Sequence, residues 1–144
     1  MSMQERRFAR ECAVKALYAQ EYTHDRMEKV VEDVMEREEL SKKLHEFCRQ
    51  LTLKTHVHAQ EFDERIQAKS EHWEFERIAI LDRHILRMGI CELIYFDDIP
   101  PKVSISEAIE IAKEYSTDQS GKFINGILDS ILHDLTTEGR IFSE

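Results

Sequence analysis

IPPKVSISEAIEIAKEYSTDQSGKFINGILDSIL, residues 99–132, is the stretch that decides the fold. Pro101 has no N–H and its ring drives the preceding residue out of the helical region, so one element must end here and a helix must start afterwards. Ser104 and Glu107 stand three apart directly before an apolar run. That spacing predicts a capping box, with the serine hydroxyl accepting from the amide three residues on and the glutamate reaching back to the cap amide. Ile105, Ala108, Ile109 and Ala112 then recur at helical spacing as far as Tyr115, where the polar run 116–121 interrupts the pattern. A second helix is expected immediately after it. Lys122 and Phe123 stand at its entrance, Ile124, Ile127, Leu128 and Ile131 form its buried face, and Gly126 is the place where another backbone can come close. The stretch therefore reads as two helices meeting at a short polar elbow that offers a cation beside an aromatic ring.

The rest of the composition agrees with a helical chain. Of 144 residues, 34% are charged while only four are glycine and two proline, a poor supply for a sheet built on tight turns. The expected fold class is all-α, a single-domain bundle of about seven helices over residues 1–135, with a patternless and frayed tail over 136–144. A single domain of this length buries about 68–70% of its unfolded surface, enough for a real core. The formal net charge of −9 argues against a general nucleic-acid binder, because non-specific affinity grows with the number of phosphates a basic surface neutralises. Any nucleic-acid site must be local. Cys12, Cys48 and Cys91 are odd in number, far apart and set in apolar helical patterns, which suits buried reduced thiols and a cytoplasmic location. There is no secretory leader and no run of eighteen apolar residues, so no membrane is expected.

Arg6, Arg7 and Arg10 open the chain, followed by Lys15, with only Glu5 and Glu11 against them. Phe8, Cys12, Ala16 and Ala19 with Ala9, Ala13 and Leu17 form a small-residue face that lets this first helix approach a neighbour closely. Met27, Val30, Val31 and Val34 predict a short packing helix. Leu40, Leu44, Phe47, Leu51, Phe62 and Ile66 form a longer amphipathic pattern with a polar centre around Lys54–His58, either one helix or two. Phe75, Ile78, Ala79 and Leu81 lead to Asp82, which can cap a helix carrying Ile85, Leu86, Gly89, Ile90, Leu93 and Ile94. That helix is apolar over a wide arc and should be central, and Gly89 in its interior points to a close helix crossing.

PPKVSISEAIEIAKEY followed by GKFINGILD resembles the C-terminal signature of the NusB family of bacterial transcription antitermination factors, and RRFARECAVKALYAQ resembles the opening helix of the same family. The likeness runs from about Arg6 to about Leu132. It implies that Arg6, Arg7 and Arg10, with Tyr18 on the same helix, contact the boxA segment of RNA. It also implies that Asp82 helps to hold NusE, the ribosomal small-subunit protein that doubles as an antitermination factor, with Glu76 and Tyr115 near the same surface. Gln119 stands where some members carry an acidic residue linked to this partner. Asp82 thus keeps two readings, helix cap and partner contact.

Physically, guanidinium groups pair bidentately with phosphate and stack on bases, and aromatic rings offer faces to unpaired bases. Lys15, Lys122 and Phe123 extend the same chemistry, and a helix N-terminus at the elbow adds its attraction for phosphate. The first helix and the elbow are expected to be neighbours in space. The function that the resemblance implies is a non-enzymatic factor that binds boxA RNA together with NusE and tethers the transcript to the RNA polymerase antitermination complex, supporting rRNA transcription. An enzyme is the alternative of a different class. A di-metal bundle needs Glu-x-x-His on two helices, and only Glu21–His24 has that spacing, while no nucleophile elbow, phosphate-cradling glycine loop or paired cysteine motif is present. His56 and His58 fall on different faces of a helix, with no further Cys or His at ligand spacing, so no metal is expected there; no cofactor is expected either. A third reading is a homodimer that hides the arginines.

Overall fold

The computed structural model describes residues 2–70 and 77–141, and every described element is helical. Among the described residues the α-helices are α1 (Met3–Thr23), α2 (Met27–Arg37), α3 (His45–Val57), α4 (Ala59–Lys69), α5 (Ile80–Tyr95), α6 (Pro101–Tyr115) and α7 (Asp118–Thr137), with a 3-10 turn at Lys42–Leu44 before α3. They form two compact units, Met1–Val57 and His58–Glu144. No helix among the described residues is long and apolar enough to cross a membrane.

In the first unit, α1 packs on both α2 and α3. Its small-residue face is what permits this, since Ala9, Cys12, Ala13, Ala16 and Leu17 are all buried. Ser2 caps the helix by accepting from the Glu5 amide at 3.1 Å. The far end closes on His24, whose left-handed backbone (φ 58°) turns its amide onto the Gln20 carbonyl. Met27, Val30, Val31, Val34 and Met35 bury the apolar face of α2. Thr52 and Thr55, buried on α3, donate to the carbonyls of Cys48 and Leu51 one turn back, so neither hydroxyl is left unsatisfied. The long amphipathic pattern resolves into two helices, because His58 leaves helical geometry (φ −100°, ψ 16°) at the polar centre of the pattern.

In the second unit, α5 touches α4, α6 and α7. Gly89 sits at a close crossing: a Cβ there would lie 3.0 Å from a Leu128 methyl and 3.7 Å from the Ala108 Cβ. The expectation for Gly126 is corrected, since a Cβ at that exposed position would meet nothing within 4 Å. The close approach between α6 and α7 falls at Gly121 instead, where a Cβ would lie 3.0 Å from the Lys113 Cγ. Three further starts differ from the sequence reading. Helix α6 begins at Pro101 itself, capped by Pro100 without a side-chain bond, because proline at the first helical position lacks only an amide that would be unpaired anyway. The capping box is therefore absent. Ser104 lies inside the helix and donates to the Glu92 carboxylate at 2.8 Å, and Glu107 is buried. Helix α7 starts at Asp118, because Thr117 accepts from the Ser120 amide at 3.0 Å and caps the chain only two residues after α6 ends. Lys122 and Phe123 thus stand one turn into α7 rather than at its entrance. Helix α5 starts at Ile80 with Ala79 as its uncapped flank, so Asp82 sits in the first turn and is no cap.

Cys12, Cys48 and Cys91 are buried free thiols. Burial pushes Cys12 up to about 11 and Cys48 up to about 12, which keeps both protonated near neutrality.

Candidate nucleic-acid and partner interface

The first unit carries the arginine cluster on α1. Arg6 and Arg7 are half-buried, whereas Arg10 is only 2% exposed. Arg6 and Arg10 are one turn apart, and both guanidinium groups lie against the same ring on α3, Phe47, with Cζ 4.8 Å and 5.5 Å from its centroid. Glu5, which diluted the basic run in sequence, is engaged by Lys43 at 2.8 Å, and that bond holds its carboxyl below the usual carboxylate range. Lys15 donates to Glu38 at 2.7 Å and is committed to joining α1 to the end of α2. Further along α1, Tyr18 is 39% exposed and Tyr22 62%, with ring centroids 5.2 Å apart and the Tyr22 hydroxyl donating to that of Tyr18 at 3.1 Å. That bond, which the Tyr22 phenolate could not donate, raises the Tyr22 hydroxyl above the ordinary phenol value.

The second unit carries the elbow and, beside it, a cleft of about 330 Å³ lined by Arg77, Ile78, Ala79, Asp82, Gln119, Ser120 and Phe123. Asp82 is 7% exposed. Its Oδ2 accepts from the Ser120 hydroxyl at 2.9 Å, while its Oδ1 is buried with no hydrogen-bond partner among the described residues. A buried carboxylate oxygen left in that state is costly and favours any donor that can reach it. Ser120 is fixed in turn by Thr117, which donates to its hydroxyl at 3.1 Å. Lys122 is exposed and Phe123 half-buried, so the ring lines the cleft wall instead of joining the core. Tyr115 is exposed at the end of α6.

The residues singled out in sequence thus fall into two sets. Arg6, Arg7, Arg10, Lys15 and Tyr18 are on α1. Asp82, Gln119 and Phe123 line one cleft, with Lys122 on the same helix as Phe123. Glu76 lies outside the described residues. Sequence reasoning missed Tyr22, although its spacing of four from Tyr18 places both rings on one helix face. It also missed Lys43, Ser120 and Arg77, and read Phe47 only as one apolar position of an amphipathic helix. Among the described residues no cluster of His, Cys, Asp and Glu could hold a metal ion, and Glu21 and His24 are exposed at the end of α1.

Comparison with known proteins gives a consistent result. The sequence model of the NusB family matches residues 7–133. A transcription antitermination protein NusB of Salinibacter ruber is 43% identical over 143 residues, covering 96% of this chain and 88% of its own. One of Chloroherpeton thalassium is 40% identical over 135 residues, and there the chain spans 64% of the relative's length. Among solved structures, NusB of T. maritima superposes with a TM-score of 0.83 at 38% identity, covering 90% of this chain and 91% of that one. A crystal structure of the antitermination factors NusB and NusE in complex with dsRNA gives a TM-score of 0.82 at 26% identity, covering 92% of this chain and 99% of that one. The chain belongs to the NusB family, whose members are non-enzymatic RNA-binding transcription antitermination factors.

Proposed function

We propose that this protein is an antitermination factor that binds boxA-type single-stranded RNA together with NusE and tethers the nascent transcript to RNA polymerase in the cytoplasm, supporting rRNA transcription. The observation that carries the reading is the arginine cluster on α1, set in a chain whose overall net charge is −9. Arg6 and Arg7 supply forked donors for phosphate, and the Tyr18–Tyr22 pair offers exposed ring faces to unpaired bases. In the proposal Lys122 and Phe123, on α7, contribute a further cation and a further ring. The acidic remainder of the surface repels RNA elsewhere and so confines binding to these groups.

The cleft supports a protein contact. Asp82 presents a buried carboxylate oxygen that lacks a donor, with Gln119 and Phe123 beside it, which suits a cationic or amide-bearing side chain of NusE. Glu76 and Tyr115 extend this contact in the proposal. The solved NusB and NusE complex with RNA, similar over 92% of this chain, supports the same pairing. If the two ligands bind one protein cooperatively, RNA must strengthen the NusE contact by the factor by which NusE strengthens RNA binding. Pull-down of NusE with and without boxA RNA tests this directly. More NusE retained with RNA supports the proposal, and equal retention in both arms contradicts the cooperative part of it.

A further inference from the structure

We propose that Phe47 is a positioning residue of the RNA site: its ring holds the Arg6 guanidinium in place while leaving that group's N–H donors available to phosphate. The inference rests on the assignment of α1 to RNA given above.

Its basis is how differently this chain treats its arginines. Arg49 spends its fork on Glu32 at 2.6 and 3.0 Å, Arg65 on Glu138 at 3.2 and 2.8 Å, and Arg87 on Asp63 at 2.6 and 2.9 Å. Each of these is a structural bond that commits two of the guanidinium donors to a carboxylate. Arg6 is held otherwise. Its Cζ lies 4.8 Å from the Phe47 centroid, and no carboxylate among the described residues bonds its guanidinium. A ring attracts the cation through its quadrupole and consumes none of the in-plane N–H groups. The nearest acid in sequence, Glu5, is occupied by Lys43. Arg10, buried beneath and 5.5 Å from the same centroid, anchors the ring from one turn further along α1.

An aliphatic residue would serve a core position on α3 equally well, as Leu51 does in the same helix. Phe47 is only half-buried, so core filling does not account for an aromatic at this place. A long arginine left loose must be ordered when RNA binds, and ordering it in advance removes that cost from the binding step.

The test is fluorescence anisotropy of a labelled boxA-type single-stranded RNA with Phe47→Leu, Phe47→Tyr, Arg6→Ala and the Arg6→Ala/Phe47→Leu double variant, with the melting temperature of each measured alongside. Phe47→Leu should weaken binding about 2- to 5-fold, the loss a partly exposed cation–π contact accounts for. Phe47→Tyr, which keeps the ring, should bind like the unaltered protein. In the Arg6→Ala background Phe47→Leu should cost nothing more, since the two residues act as one. The Arg6 Nε–H resonance should move in Phe47→Leu and stay in Phe47→Tyr. Phe47→Met takes the place of Phe47→Leu if the leucine variant does not fold. Binding by Phe47→Leu equal to that of the unaltered protein, or a loss that persists undiminished in the Arg6→Ala background, overturns the role of the ring while leaving the RNA site intact. If Arg6→Ala itself binds normally, the RNA assignment of α1 is what fails, and this inference fails with it.

Discussion

At the residue scale, Ser120 and Asp82 show how a site can be held under tension by one hydroxyl. The Ser120 proton goes to Asp82 Oδ2, and Asp82 Oδ1 has no donor among the described residues. Removing the hydroxyl in Ser120→Ala leaves a buried carboxylate with neither oxygen satisfied by this bond. The expected loss of stability is about 1–3 kcal/mol, read as a lower urea midpoint at unchanged slope. NusE should raise that midpoint more in the variant than in the unaltered protein if its donor reaches Asp82, because the ligand then relieves the larger penalty. The thiols make a second residue-scale prediction. With Cys12 held at about 11 and Cys48 at about 12, above the ordinary thiol value of 9.0, the folded state favours the protonated form. Their contribution to stability is complete below pH 9 and declines as pH rises through the folded values. At pH 8 a disulfide reagent should label neither residue rapidly until denaturant is added, and fast labelling in the native state would show that α1 and α3 open readily.

At the element scale, the glycines separate two roles that look alike in sequence. Gly126 is exposed in the interior of α7 with nothing near a would-be Cβ, so Gly126→Ala should stabilise the protein by about 0.5–1 kcal/mol through lower chain entropy in the unfolded state. Gly89→Ala should give no such gain, since the added methyl meets Leu128 at 3.0 and 3.3 Å at the α5–α7 crossing. Thermal denaturation of the two variants side by side measures the difference. Periodicity locates α5, α6 and α7 and the buried face of α2, because apolar spacing follows directly from 3.6 residues per turn. It misplaced helix starts, and for a physical reason. A helix start is a choice among several residues within a few positions, and Pro100–Pro101, Ala79–Ile80 and Thr117–Asp118 prevail over Ser104, Asp82 and the end of the polar run 116–121 on backbone geometry that no spacing rule contains. The same limit hid Phe47. An amphipathic pattern says that a residue faces inward, and only the packing of α1 on α3 shows that two guanidinium groups meet it there. In sequence, resemblance alone ties Asp82 and Gln119 to one partner, and Phe123 is read with RNA; that the three line one cleft is a product of α5 and α7 lying together, which is tertiary information.

At the scale of the whole molecule, the charge distribution has two consequences. Surface carboxylates at Glu5, Glu32, Glu38, Asp134 and Glu138 are all held below their ordinary values, chiefly by side-chain bonds to Lys43, Arg49, Lys15, Lys69 and Arg65. A carboxyl depressed in the folded state contributes stability that is present above its unfolded value and lost as pH falls through the folded one. Stability should therefore be level through neutral pH and fall below about pH 4.5, with each exposed pair adding little and high salt flattening the decline. A denaturation series across pH 3–7 checks the direction. The second consequence concerns RNA. In a chain of net charge −9, affinity for a polyanion must come from a few cations, so three or four phosphate contacts on a single strand predict a log–log salt slope of about −2 to −3. The most direct test is a titration of labelled boxA RNA across salt concentrations with the unaltered protein and with Arg6→Ala/Arg7→Ala. The account predicts a loss of affinity of about tenfold or more, with the slope shallower by about 0.7 for each phosphate contact removed. Unchanged affinity and an unchanged slope would contradict it.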